Sequence, residues 1–272
     1  MAPILVTGGT GTLGRHVVRR LRHEGGDVRV LTRRGREDED GVRFVTGDLL
    51  SGDGVDAAVG GIATIVHCAG SNKGDEIATR TLVDAAARAG RPHLVYVSVV
   101  GAERVPVRSR TDRLLFSYFE MKRKAEDVVA GSGLPWTTIR ATQFYDLMLK
   151  VLQALAKLPV VPVPSGIAFQ PVDTDDVAAR LVELALGKPS GLVRDIAGPR
   201  VYATRDMIRG YLNATHRRRF LVPIRLPGGA ARAIRAGANL APDAAVGSKT
   251  WEAFLADHLS RPVQPSAGAP RG

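Results

Sequence analysis

Residues 7–14 read Thr-Gly-Gly-Thr-Gly-Thr-Leu-Gly, with Gly8, Gly11 and Gly14 at three-residue intervals. The apolar run Ile4–Val6 precedes them and a run of helix formers follows. In a strand–loop–helix setting this spacing suits a pyrophosphate. Gly8 makes the tight exit from the strand, Gly11 lets the anion approach the backbone, and Gly14 lets helix and strand pack closely. Thr10, Thr12 and Leu13 complete the loop and helix start, where backbone N–H groups face the anion. A plain turn rarely needs glycine at all three positions.

Further along, other residue types fit the rest of a dinucleotide. Folds that read a ribose 2′-hydroxyl place an acidic residue about 20 residues beyond the glycines. Here Leu31-Thr32-Arg33-Arg34 stands instead, with no carboxylate before Glu37. Arg33 can stack on adenine and bond a 2′-phosphate bidentately, which favours NADP(H) over NAD(H); a solvated arginine loop is the plainer alternative. Asp48, with Leu49, follows the third apolar run, and its carboxylate suits either the adenine amino group or the cap of its own turn. Ala69 and Gly70 are small enough to admit a ribose. Between them and the preceding run, His67 and Cys68 read as structural and packing residues.

These residues need a scaffold, and the chain encodes one. Short, almost wholly apolar runs at Ile4–Val6, Val28–Leu31, Arg43–Val45, Ile62–His67, His93–Val97 and Trp136–Ile139 predict strands. Amphipathic stretches at Leu13–His23, Glu76–Ala89 and roughly Thr111–Ala130 predict helices between them. Such alternation implies a parallel sheet covered on both faces, an α/β doubly wound, Rossmann-type fold. After Ala141 the alternation decays, and prolines break the chain at 159, 162, 164 and 171. Helices are expected at Asp175–Leu186, Thr204–Leu212, Ala230–Ala238 and Thr250–His258. The organisation read from this is a nucleotide-binding core over 1–150, a segment over 151–260 that completes the sheet edge and forms a small, mostly helical C-terminal cap, and a flexible tail over 261–272.

Composition narrows the class further. The chain has 272 residues, is 44% apolar, and has no stretch apolar enough to span a bilayer. One cysteine and no signal-like N-terminus lead to the expectation of a cytoplasmic protein. The net charge of +11 is concentrated beyond residue 190, where thirteen basic residues face five acidic ones. The run His216-Arg217-Arg218-Arg219 is either a nucleic-acid arm or a solvated face, and without an aromatic platform the second reading is preferred. Asp173, Asp175 and Asp176 look like metal ligands but sit where a helix start needs caps, so no metal is expected. A small-molecule substrate is the expected partner, without nucleic acid or membrane, as monomer or homodimer.

Taken together, TGGTGTLG, TGDL, HLVYVSVVGAE, KRKAEDVVAGSGLPWTTIRATQFYD and FQPVDTDDVAA resemble the NmrA-like group of atypical short-chain dehydrogenase/reductases. The resemblance extends over nearly the whole chain. It implies NAD(P) binding and, in the members that transfer hydride, catalysis by Ser98, Tyr118 and Lys122. Tyr118 and Lys122 form Y-x-x-x-K, which places both side chains on one helix face. A phenol needs a neighbouring ammonium to become a proton source at neutral pH, and Lys122 also suits the nicotinamide ribose. The resemblance further implies that Phe144 and Tyr145 wall the substrate pocket; packing under the cap is the alternative. Glu103–Ser117 then forms a loop or lid between Ser98 and Tyr118. The implied activity is NADPH-dependent hydride transfer to a small apolar or aromatic carbonyl or quinone. The group also contains regulators that bind the dinucleotide to report redox state to a protein partner, and a sugar-nucleotide epimerase is a weaker third reading.

Overall fold

The computed structural model of the chain describes residues 2–39, 41–70 and 74–260, so the tail expected over 261–272 lies outside the described residues. The first elements are β1 (Ile4–Thr7), α1 (Thr12–His23), β2 (Val28–Thr32), β3 (Val42–Thr46), α2 (Val55–Val59), β4 (Thr64–His67), α3 (Asp75–Arg88), β5 (His93–Val99), α4 (Arg110–Ala130) and β6 (Trp136–Ala141). They are followed by α5 (Tyr145–Leu155), β7 (Val160–Pro164), β8 (Ala168–Phe169), α6 (Thr174–Leu186), β9 (Gly191–Leu192), β10 (Tyr202–Ala203), α7 (Thr204–Ala214), β11 (Phe220–Ile224), α8 (Gly229–Arg235) and α9 (Trp251–Leu259).

Among the described residues, seven strands pair in parallel in the order β3-β2-β1-β4-β5-β6-β9. The chain builds outward from β1 through β3, then crosses back to place β4 beside β1. That reversal opens a crevice at the carboxyl ends of β1 and β4, where Thr7 lies opposite His67. Alternation along each strand divides the core. Val6, Val30, Val66, Val95 and Val97 pack under α1 and α6, whereas Leu5, Leu31, Ile65, Leu94 and Tyr96 pack under α2, α3 and α4. The architecture is the doubly wound Rossmann type, with a helical C-terminal part in which α5, α7 and α9 close over β7 around Tyr145, Trp251 and Phe254.

The expected helix over roughly Thr111–Ala130 is present, but the expectation of a loop or lid over Glu103–Ser117 needs correction. The helix already begins at Arg110, because Ser109 and Asp112 form a reciprocal capping box. The turn is broken at Phe116 (φ −135°, ψ 15°), so the first half of α4 leans away from the axis of the second. The second half is clamped to the sheet. Arg140 on β6 donates from Nε and Nη2 to the Glu126 carboxylate at 2.9 and 2.7 Å, and its Nη1 lies 2.9 Å from Glu103. Both Arg140 and Glu126 are buried, so this pair fixes the helix where apolar contacts alone would let it slide.

Asp112 ties the first half of α4 to the cap. Its buried carboxylate accepts from the Ser109 N–H at 3.1 Å and from the Ala230 N–H, at the start of α8, at 3.1 Å. Hydrogen bonds led by that from Ser109 hold the carboxyl down to about 2. An unfolded aspartate titrates near about 3.9, so the stabilisation is complete above that pH and is lost as pH falls towards the folded value. The stability advantage of the wild type over Asp112→Asn in urea titrations should therefore shrink between about pH 4 and pH 2. An advantage that stays constant across that window would show that the ionised carboxylate is not what joins the two elements.

Candidate nucleotide and active site

The glycine loop leaves β1 through Gly8 at φ +69°, a conformation other residues rarely adopt. A β-carbon there would also lie 2.6 Å from the Ala69 amide nitrogen, so the ends of β1 and β4 can meet only because Gly8 is bare. At Gly14 a β-carbon would collide with the Gly8 carbonyl oxygen, and this is what lets α1 start directly on the loop. A β-carbon on Gly11 would meet only the Gly8 oxygen, at 3.2 Å, leaving that side of the loop open. Helix α1 has no side-chain cap and no acidic residue in its first turn. The N–H groups there point at the crevice with the positive end of the helix behind them, which suits a phosphate. Thr10 is exposed, Thr12 half-buried, and Leu13 anchors the turn in the core.

Around this loop the other predicted nucleotide contacts take different stations. Arg33 is exposed just beyond β2. Asp48 accepts the Leu50 N–H at 2.9 Å through Oδ1, so it does cap its own turn, and Leu49 is buried in the core behind it. Ala69 donates its N–H to Thr7 Oγ1 at 3.4 Å. Gly70 is exposed at the crevice, and a β-carbon on it would lie 3.5 Å from Lys122 Nζ.

Lys122 is the centre of the site. It is buried, yet its ammonium lies 3.2 Å from Asp75 Oδ2 and donates to the Tyr96 hydroxyl at 3.3 Å and the Val97 carbonyl at 3.4 Å. It also sits over two phenol rings, 5.0 Å from the centre of Tyr96 and 5.9 Å from that of Tyr118. Burial alone would push its pKa down; the oxygens of Tyr96, Tyr118 and Asp75 outweigh that and hold it above the ordinary value. Burial pushes the Tyr96 phenol up to about 12, so at neutral pH it meets the ammonium as a dipole. Asp75, at the start of α3, supplies the full negative charge. Asp75 and Tyr96 are the members of this centre that spacing along the chain does not reveal.

Tyr118 is 42% exposed and stands between solvent and the ammonium, one helical turn before Lys122. No hydrogen bond links Ser98 to them: it is buried and, among the described residues, its Oγ has no hydrogen-bond partner. Lys124 points away and pairs with Glu120 at 3.6 Å. Phe144 is half-buried against the sheet core. Tyr145 is wholly buried; its ring stacks on Trp251 and Phe254 and its hydroxyl donates to the Lys249 carbonyl at 2.7 Å. Its ring is therefore cap core, a correction to the expected pocket wall.

His67 is structural in a definable way. Thr79 Oγ1 donates to the Asp75 carbonyl at 2.7 Å, so at 3.2 Å it accepts from His67 Nε2. Nδ1 then accepts from Thr7 Oγ1 at 2.6 Å. The ring is the neutral Nε2–H tautomer, with burial and then the Lys122 charge lowering its pKa to about 3. Burial pushes the Cys68 thiol up to about 12, so it is no thiolate. Among the described residues no cluster of metal-ligating side chains occurs. Asp173 caps α6 by accepting the Asp175 N–H, and Asp175 is bound by Arg19, Arg20 and His16.

Replacing Asp75 by Asn tests the counter-charge. The change leaves a buried ammonium without its anion and should cost about 3 kcal/mol at neutral pH. The deficit should narrow as pH rises towards about 10, because the folded variant then gives up the Lys122 proton more readily than the unfolded chain does. Urea unfolding of both proteins over this range reads the difference; a deficit that ignores pH rules the role out.

Comparison with known proteins agrees with this geometry. Residues 8–186, well over half of the chain, match the family described as NAD(P)H-binding. The chain is 30% identical over 228 residues to High Chlorophyll Fluorescence Phenotype 244, a chloroplast protein of Arabidopsis thaliana; the alignment covers 75% of this chain and 53% of the relative. It is 31% identical over 208 residues to a (4-alkanoyl-5-oxo-2,5-dihydrofuran-3-yl)methyl phosphate reductase of Streptomyces griseus, covering 75% and 70%. The chain spans about half to two thirds of the length of several other curated relatives it matches. Among solved structures, an NADPH-dependent quinone oxidoreductase of Escherichia coli in complex with NADPH superposes with a TM-score of 0.77 at 16% identity, over 94% of this chain and 100% of the other. A glycine loop at the switch point of a doubly wound sheet, matched by the family model from Gly8 onward, places the chain in the NAD(P)H-binding family.

Proposed function

We propose that the protein is an NADPH-dependent oxidoreductase that delivers hydride to a small apolar or aromatic carbonyl or quinone. The observation that carries this reading is the buried Lys122 ammonium, held at the carboxyl end of the sheet between Gly70 and the Tyr118 ring. Asp75, Tyr96 and Val97 keep this lysine charged at the crevice, where it is placed to serve a ribose hydroxyl and a phenol. The bare Gly8–Gly14 loop and the uncapped start of α1 fit a pyrophosphate, and Arg33, with no carboxylate before Glu37, fits a 2′-phosphate.

In this reading a reduced nicotinamide supplies the hydride. Lys122 binds the adjoining ribose, and its ammonium stands 5.9 Å from the centre of the Tyr118 ring. Tyr118, open to solvent on its far side, orients the substrate oxygen and gives it a proton as the carbonyl is reduced. The wall beyond it is apolar: Leu114 and Leu115, 82% and 46% exposed on the preceding turn, suit a substrate with little polarity. Asp75 and Tyr96 keep the ammonium charged and aimed throughout.

A second reading, a dinucleotide-binding regulator that acts through a protein partner, is favoured by one observation. Among the described residues the Ser98 hydroxyl has no hydrogen-bond partner, so no hydrogen bond ties it to Tyr118 or Lys122 in the Ser–Tyr–Lys set implied by family resemblance.

Two measurements decide. Fluorescence titration should show NADPH binding roughly tenfold or more tighter than NADH, and Arg33→Ala should remove most of that preference; equal affinities would refute the 2′-phosphate contact. Stopped-flow oxidation of bound NADPH by quinones and aldehydes should slow by about 10²-fold or more in Tyr118→Phe, with NADPH affinity retained. If no acceptor oxidises NADPH, the regulator reading replaces this one.

A further inference from the structure

Strands β7 and β11 pair in parallel, with Phe220 opposite Val160, Val222 opposite Pro162 and Ile224 opposite Pro164. Alternation sends Val161, Val163 and Leu221 inward onto the cap core. Among the described residues the other face of the ribbon is largely open to solvent. On it Phe220 is 78% exposed, Val160 and Val222 45%, and Ile224 36%, with Leu158 also exposed at the entry to β7. Isolated exposed apolar residues are ordinary, whereas a whole ribbon face of them is not.

The rim of this face is basic. Because the strands are parallel, Lys157, Arg217 and Arg218 collect at one end, and Arg225 lies at the other. All four are exposed, and among the described residues none of them forms an ion pair. Arg219 between them is used differently: its Nε donates to the Ala156 carbonyl at 2.9 Å and staples the loop to the end of α5. From Asp206 to Asp243 the chain carries seven arginines and no intervening carboxylate.

We propose that this face docks the protein on an anionic bilayer surface, its apolar side chains entering the headgroup boundary and its basic rim meeting lipid phosphates and carboxylates. The charge selects this occupant. A second copy of the chain would bring two basic rims together, and like charges across an interface oppose pairing. Edge-to-edge addition to β11 is blocked at Pro223, which has no N–H to give a ladder. Nucleic acid fits the arginines, but Phe220 is the one ring on this face among the described residues, and the valines, isoleucine and prolines around it give successive bases nothing to stack on. An apolar face framed by Lys and Arg is what an interface-bound element needs. The arginine run left as a solvated face by sequence reading thereby gains a use, and the expectation of no membrane partner is narrowed: no helix among the described residues is long and apolar enough to cross a bilayer, but a surface contact needs none.

Co-sedimentation of the full chain with vesicles of phosphatidylcholine, with and without phosphatidylserine, tests the proposal. The protein should pellet with the serine-containing vesicles at low salt, stay in solution with the neutral ones, and be released by added salt. Phe220→Ser with Val222→Ser should abolish the binding. Arg217→Gln and Arg218→Gln should each weaken it roughly fivefold. These side chains are exposed, so melting temperature and NADPH titration should match the wild type and certify the fold of each variant. The proposal is overturned if serine-containing vesicles leave the protein in solution, or if Phe220→Ser with Val222→Ser binds as well as the wild type. It is equally overturned if light scattering finds a vesicle-independent dimer that the same pair of changes dissociates, or if duplex DNA retains the protein where vesicles do not.

Discussion

A charged ammonium kept out of water is the constraint around which this molecule is arranged. Lys122 can stay protonated at its depth only with an anion, further oxygen acceptors and a rigid wall. Asp75 comes from α3, the Tyr96 hydroxyl and Val97 carbonyl from β5, and the helix that carries the lysine is fastened to β6 by the Arg140–Glu126 pair one turn further on. Four elements must be correctly placed before that charge costs less than its burial penalty. Loosening any of them would move the ammonium by the same ångström or two that decides whether it reaches a ribose or a phenol.

The crevice beside it obeys a steric constraint instead. Strands β1 and β4 are neighbours only because the chain doubles back between them, and their ends can touch only because Gly8 has no side chain. A neutral hydrogen-bonded chain from Thr7 through His67 and Thr79 to the Asp75 carbonyl runs beneath the same junction. The histidine joins the nucleotide side of the crevice to the lysine side without titrating, which keeps this part of the scaffold indifferent to physiological pH.

What could be read from the chain beforehand divides along the range of the interactions. The strands of the first half, the helices between them and the glycine loop are local in origin, and the residues themselves carry their periodicity and spacing. The Tyr118–Lys122 relation was legible too, since both lie on one helix. Asp75 was not, because its role depends on how α3 packs against α4, a contact with no periodic signal. Tyr145 was misplaced for a similar reason: its ring belongs with Trp251 and Phe254, more than a hundred residues away. The ribbon of β7 and β11 was hidden by its own prolines, which argue against a strand except at an edge, the one place where these occur. The start of α4 was missed: the long gap between Ser98 and Tyr118 suggested a lid, whereas the capping box of Ser109 and Asp112 starts the helix at Arg110.

Among the described residues, two of the apolar patches that reach solvent differ in meaning because of the charge around each. Leu114 and Leu115 stand on the turn of α4 before Tyr118, whose ring lies 5.9 Å from the buried ammonium. Phe220, Val222 and Ile224 lie on a ribbon with no polar group at its centre and arginines only at its ends. Orienting a small substrate needs a converging donor or acceptor, and among the described residues the side chains at the centre of that face are apolar. Equal hydrophobicity therefore carries unequal information. The first patch is read by what lies beneath it, the second by what surrounds it, and the arginine excess of the C-terminal segment acquires a physical purpose only in the second.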